Sequence, residues 1–300
     1  MNLAILNYYP PAYDQGNLGS CTANGIAFCF HFDVLKTNSQ DNFVPSRLFI
    51  YFCERVLDSI NYDPYSSPPI TTYPELLNFI NDPTIKTFSQ NDSDTGSNDF
   101  QGIDVLSLYG VCNEKYWPYS DNSTDYKTIP IDNWQDIVKD CNNHKAKSFY
   151  SVGGLTTIYD GNPSFFFDDT YKNDLLSIKN ALCLGYPIVF GINIPKDTDN
   201  DLNNYPFSSS FSSSPTIIDI PSSYINAENK QEYISNSDNF VGGHCIVIVG
   251  YDDNLKAFII RNSWGTNWGI KGHFYLSYNF IEDPNLANDF WILKDIIENN

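Results

Sequence analysis

The spacing of apolar residues changes character along this chain, and that change limits the fold more than any other feature. In the first half, Ala23, Ile26, Ala27, Phe30 and Val34 follow the 3-4 rhythm of a helix, and Leu48, Phe49, Phe52 and Val56 repeat it. Further along, Cys245-Ile246-Val247-Ile248-Val249 is apolar throughout, the pattern of a strand buried on both faces. The turn Asp252-Asp253-Asn254 then returns the chain as Lys256–Arg261, and His273–Tyr278 follows as another strand. Helices are expected from Ser20, capping a turn that holds Cys21, over Ser46–Leu57, near Pro74–Ile80, over Phe100–Tyr109 and near Asp132–Asn143. One more is expected from an Asn173 cap to Leu184, stopped by Gly185, before a strand at Pro187–Ile194. Residues 120–172 otherwise read as irregular. Helices first and strands second mean an α+β domain, with a helical lobe mainly over 20–120 and a sheet lobe mainly over 145–195 and 240–290. A cleft between two lobes is a favoured place for a site.

Composition narrows the function. Seventeen basic residues against 36 acidic ones, a net charge of −19, oppose binding to a phosphate backbone or an anionic membrane surface. No apolar run is long enough to span a bilayer, and the start Met1-Asn2-Leu3-Ala4 lacks the basic region of a signal peptide. Seven cysteines are too few for a disulfide scaffold, the number is odd, and no C-x-x-C pair suggests zinc. Reduced, buried thiols are the simplest reading, which favours a reducing intracellular compartment.

One cysteine stands apart. In the first turn of a helix, Cys21 faces backbone N–H groups and the positive end of the dipole, and both favour thiolate over thiol. Cys29, Cys53 and Cys183 fall inside helices, Cys245 in an apolar strand, and Cys112 and Cys141 beside no activating neighbour. A thiolate nucleophile needs a proton partner. Of His31, His144, His244 and His273, only His244 follows a glycine pair, Gly242-Gly243, and opens a buried strand. Asn262-Ser263-Trp264-Gly265 ends the next strand, so antiparallel pairing brings Asn262 beside His244. The amide oxygen can then hold the imidazole in one tautomer, with Trp264 covering the bond.

Taken together, Gln15-Gly16-Asn17-Leu18-Gly19-Ser20-Cys21, Gly243-His244 and Asn262-Ser263-Trp264-Gly265 resemble, in that order, the papain family of cysteine peptidases in its microbial-type branch. Tyr109-Gly110-Val111, Glu114 and Trp117-Pro118-Tyr119 are similar to a further family segment, as is the strand at Tyr186-Pro187-Ile188-Val189. The resemblance implies one two-lobed peptidase domain over 1–300, with a C-terminal antiparallel barrel-like lobe. It implies Cys21 as nucleophile, His244 as acid/base and Asn262 as its orienter. The Gln15 side chain and the Cys21 backbone N–H would be the oxyanion donors. Gly96, Ser97, Asn98, Gly243 and Trp264 are expected at the substrate, a peptide or protein. An endopeptidase acting as a monomer is expected, with no metal or organic cofactor and no nucleic-acid or membrane partner. The same residues could instead transfer the acyl group to an amine, as a transpeptidase or ligase does, or the fold could persist as a non-catalytic binding or structural protein.

The chain also departs from the family pattern. Leu18 stands where the family signature has a cysteine and Thr22 where it has an aromatic residue, and Gly243 replaces a frequent Asp. His244 and Asn262 follow Cys21 at an interval about 80 residues longer than the family's. The candidate insertions are about 58–95, 120–172 and 196–240. Fourteen residues precede Gln15, so an inhibitory prosegment has either been removed or is not needed; in the second case the 196–240 insertion is expected to gate the cleft.

Overall fold

A computed structural model describes residues 1–59, 92–152, 172–196, 202, 208, 210–211, 214–227 and 230–298. The helix expected at Pro74–Ile80 and most of the 58–95 stretch lie outside these residues, as do parts of 120–172 and 196–240. The chain divides into two compact units, one of residues 1–14, 151–156 and 167–292, the other of 15–150, 157–166 and 293–300.

The helix-bearing unit holds α1 (Cys21–Thr37), α2 (Arg47–Ser59), α3 (Asp99–Leu108) and α4 (Trp134–Asn143). α1 is buried without a break from Thr22 to Phe32, which makes it the central helix rather than a one-faced surface helix. Phe28, Phe30, Phe32, Phe49 and Phe52 are fully enclosed around it. The sequence's own signals end the elements. Asn98 caps α3 by accepting from the Gln101 N–H, and Gly110 takes φ +77° just beyond it. A Cβ at Gly110 would come within 2.0 Å of the Cys141 carbonyl oxygen, so the close approach there also requires glycine. The chain then forms strand β1 (His144–Ser151), in the stretch that reads as irregular. Its sequence, HKAKSFYS, carries no clean alternation, and only Ala146 is fully buried on it.

In the other unit, α5 (Leu175–Cys183) precedes β2 (Ile188–Pro195), β3 (Ile217–Ile218), β4 (Phe240–Asp252), β5 (Ala257–Arg261), β6 (His273–Ser277) and the part of β7 (Ala287–Glu298) up to residue 292. The strands lie in the order β7-β2-β4-β5-β6-β3. This row is open and mixed rather than barrel-like, because β3 is two residues long and runs parallel to β6. The Asn173 cap is not observed. Asp174 caps α5 through the Leu176 N–H, and the Asn173 amide instead donates to the Ile281 and Ala287 carbonyls. β4 pairs antiparallel with β2 on one side and β5 on the other, which explains its continuous apolar run. Within the 196–240 stretch, described residues form β3 and short helices at Ser222–Ile225 and Lys230–Ser235.

Candidate active site

Strand pairing assembles the histidine half. His244 lies on β4 opposite Ile192 of β2, and the β4–β5 register sets Val247 opposite Arg261. Asn262 follows directly, and its Oδ1 lies 2.8 Å from His244 Nε2. Asn262 Oδ1 also accepts from the Ser263 backbone N–H at 2.8 Å. That second bond fixes which end of the amide is oxygen, since a reversed amide would set two donors face to face. Nε2 therefore carries the proton and Nδ1 is left as the basic nitrogen. Trp264 stacks on the imidazole, ring centroids 5.1 Å apart, and is itself packed edge-on against Trp268. The Tyr13 carbonyl accepts from the Gly265 N–H at 2.8 Å, pinning the segment. Burial pushes the His244 imidazolium down to about 4, while the bond to Asn262 opposes that fall. At Gly242 and Gly243 a Cβ would meet no described atom within 4 Å, so the strand ahead of His244 presents bare backbone to open space.

The cysteine half lies in the other unit. Cys21 is half-buried at the first position of α1. Ser20 does not cap α1, contrary to expectation: its side chain accepts from no backbone N–H of the helix, and its hydroxyl lies 2.7 Å from the Tyr119 hydroxyl. Gln15 is 8% exposed, and its Nε2 donates to the Leu18 carbonyl at 2.9 Å. Thr22 is buried and donates from Oγ1 to Glu54 Oε2 at 2.7 Å, so a polar contact stands where the family signature has an aromatic ring. Glu54 is fully enclosed, and burial holds its carboxyl well above the usual carboxylate range, helped by Asp99. No disulfide joins any of the seven cysteines.

Gly96, Ser97 and Asn98 come beside this loop through Asp94. The Asp94 carboxylate accepts from the Gly19 N–H at 2.9 Å and from the Tyr51 hydroxyl, and a Cβ on Gly19 would lie 3.4 Å from the Gly96 nitrogen. Arg55 holds the same segment by donating to Asp92 at 2.8 Å and to the Gly96 carbonyl at 2.5 Å. Ser97 donates to Gln101 and Asn98 caps α3, so both side chains serve the helix and the backbone remains to line a site. Tyr51, Arg55, Asp92 and Asp94 escaped the sequence reading, because nothing in their spacing shows that α2 grips a segment about forty residues on. Among the described residues, no group of three or more His, Cys, Asp and Glu is arranged to hold a metal ion, and no helix is long and apolar enough to cross a membrane.

A sequence model described as "Papain family cysteine protease" matches residues 214–291. The uncharacterized peptidase C1-like protein L477 of Acanthamoeba polyphaga mimivirus is 32% identical over 285 residues, 95% of this chain and 70% of that protein. Xylellain, a cysteine protease from Xylella fastidiosa, superposes with a TM-score of 0.63 at 28% identity, covering 96% of this chain and 84% of its own. The Carica candamarcensis cysteine protease CMS1MS2, crystallised in complex with E-64, gives a TM-score of 0.52 at 13% identity over 98% of this chain and 97% of its own, a likeness of fold.

Proposed function

The chain belongs to the papain family of cysteine proteases, and from that premise we propose that it hydrolyses peptide bonds with Cys21 as nucleophile, His244 as acid/base and Asn262 as the residue that orients His244. The observation that carries the reading is the doubly held Asn262 oxygen, 2.8 Å from both His244 Nε2 and the Ser263 nitrogen. In this reading Nδ1 takes the thiol proton. The thiolate attacks the scissile carbonyl carbon, and the carbonyl electrons move onto oxygen. The Cys21 N–H and the Gln15 amide stabilise that oxyanion. His244 then protonates the leaving amine, and water, deprotonated by the same imidazole, releases the acyl group and restores the thiol. Gly96, Ser97 and Asn98 line the path of the substrate backbone with Gly243 and Trp264, and residues 1–300 act as one endopeptidase domain.

An epoxide that traps activated thiols tests the assignment. Wild-type protein should gain one adduct at Cys21 and lose activity on a peptide library, and Cys21→Ala should gain none. Absence of labelling in the reduced wild type refutes the catalytic reading and leaves a binding protein. Products that carry an added amine would instead mark acyl transfer.

A further inference from the structure

Tyr119 lies about one hundred residues from the loop that carries Gln15 and Cys21, yet its hydroxyl bridges the Gln15 backbone and the side chain of Ser20, the residue before Cys21. It donates to the Gln15 carbonyl at 2.9 Å and lies 2.7 Å from Ser20 Oγ. A phenol has one proton, and a carbonyl can only accept. Tyr119 therefore spends its proton on Gln15 and must accept from Ser20. The Ser20 hydroxyl proton is thus used as well, so Ser20 Oγ accepts from Asn24 Nδ2 at 3.0 Å, and the same amide nitrogen donates to the Ser20 carbonyl at 2.9 Å. Asn24 Oδ1 is then free of ambiguity as the acceptor for Arg47 Nη1 at 3.2 Å. Arg47 can only donate, and Glu114 holds it with contacts of 2.8 and 3.0 Å. Every donor direction from the guanidinium to the Gln15 carbonyl is determined.

The guanidinium carbon also lies 3.8 Å above the centre of the Tyr119 ring, which fixes the ring from a second direction. Two residues on, Asp121 accepts from the Asn17 N–H at 3.2 Å, and Gly16 turns the chain at φ +57° where a Cβ would strike that carboxylate. Residues 119–121 thus grip the loop at Gln15, Asn17 and Ser20 together. Ser20 occupies the N-cap position, but its Oγ accepts from the Asn24 side chain rather than from a helix N–H.

We propose that Tyr119 is a positioning residue for the oxyanion hole, holding the Gln15 carbonyl and Ser20 so that the Gln15 amide and the Cys21 N–H converge on one point. This rests on the oxyanion assignment above. Preorganised donors act through placement, so loss of the tether lowers the rate of the chemical step and leaves substrate affinity nearly unchanged.

Tyr119→Phe is the test, because phenylalanine keeps the ring under Arg47 and removes only the hydroxyl. With a peptide amide substrate, kcat should fall about 10- to 100-fold with KM within about 3-fold, against about 100- to 1,000-fold for Gln15→Ala. In the Gln15→Ala background, the further loss from Tyr119→Phe should shrink to less than about 3-fold. Alkylation of Cys21 by iodoacetamide, which builds no oxyanion, should proceed at the wild-type rate. Equal losses in both backgrounds, a parallel fall in alkylation, or a change in kcat below about 2-fold overturns the proposal. If Gln15→Ala itself leaves kcat unchanged, the oxyanion assignment fails and the proposal with it. Should Tyr119→Phe fold poorly, Ser20→Ala breaks the same relay with Tyr119 in place, and the same criteria apply.

Discussion

Replacing Asn262 by alanine removes one oxygen atom that two buried donors share. His244 Nε2 and the Ser263 N–H each reach it at 2.8 Å, and both residues are 7% exposed. A buried donor left without its acceptor loses about 1–3 kcal/mol. The Ser263 share falls on stability. The His244 share falls on catalysis, because nothing then keeps the proton on Nε2, and each 1.36 kcal/mol is tenfold in rate. A loss of about 5- to 150-fold in kcat/KM follows. The pH profile supplies a sign that rate alone does not. The amide oxygen favours the imidazolium, opposing the burial that pushes it down to about 4. On the proposed mechanism the Cys21 thiolate raises the same group, and the alkaline limb of the bell marks its loss of a proton. Without the oxygen the imidazolium loses its proton earlier, so the alkaline limb should move down by about 0.7–2 pH units. Asn262→Asp sets a carboxylate there and should move the limb up. Both profiles are measured as kcat/KM on a fluorogenic peptide amide, with circular dichroism confirming the fold. Movement of the limb in the same direction for both variants, or a loss below about 3-fold for alanine, would refute the orienting role.

Two further expectations concern stability. His244 and His273 are both buried, with burial holding their imidazolium forms down to about 4 and about 3 against an ordinary 6.5. The unfolded chain binds these protons first, so stability should be intact above about pH 6.5 and decline by several kcal/mol as the pH falls toward 3–4. Urea unfolding at pH 7 and pH 4.5 measures this, His273→Gln should flatten the slope, and a protein no less stable at pH 4.5 contradicts it. Glu54 has the opposite sign, because burial raises its carboxyl and the native state keeps a proton that the unfolded chain releases above its ordinary 4.5. Glu54→Gln keeps an acceptor for Thr22 and should stabilise the protein near pH 7.5 but not at pH 4; equal destabilisation at both pH values would sink this reading.

Much of the fold was legible because local patterns and tertiary contacts agree. The 3-4 spacing from Ala23 to Val34 becomes α1, the apolar run Cys245–Val249 lies within β4, and Gly110 and Gly185 take positive φ where the helices were expected to stop. Other elements were hidden for identifiable reasons. β1 alternates too weakly to announce a strand. Ser20 and Asn173 both have the chemistry of a cap, yet each spends its side chain on a distant partner, Tyr119 in one case and the Ile281 and Ala287 carbonyls in the other. Local propensity cannot register a competitor supplied from elsewhere in the chain.

For the candidate site the division is similar. The order Gln15, Cys21, His244, Asn262 and the family it resembles could be read from the residues, because nucleophile, base and amide are chemical types that recur in set local contexts. The pairing of His244 with Asn262 was also within reach, since it needs only two adjacent antiparallel strands. What tertiary structure alone decided is orientation. The end of the Asn262 amide that faces His244 depends on the Ser263 N–H, the place of Gly96 on Arg55, and the direction of the Tyr119 hydroxyl on the Gln15 carbonyl. A sequence lists donors and acceptors. Only a folded chain settles which of them spend their protons on one another, and the imidazole nitrogen left basic is set by that outcome.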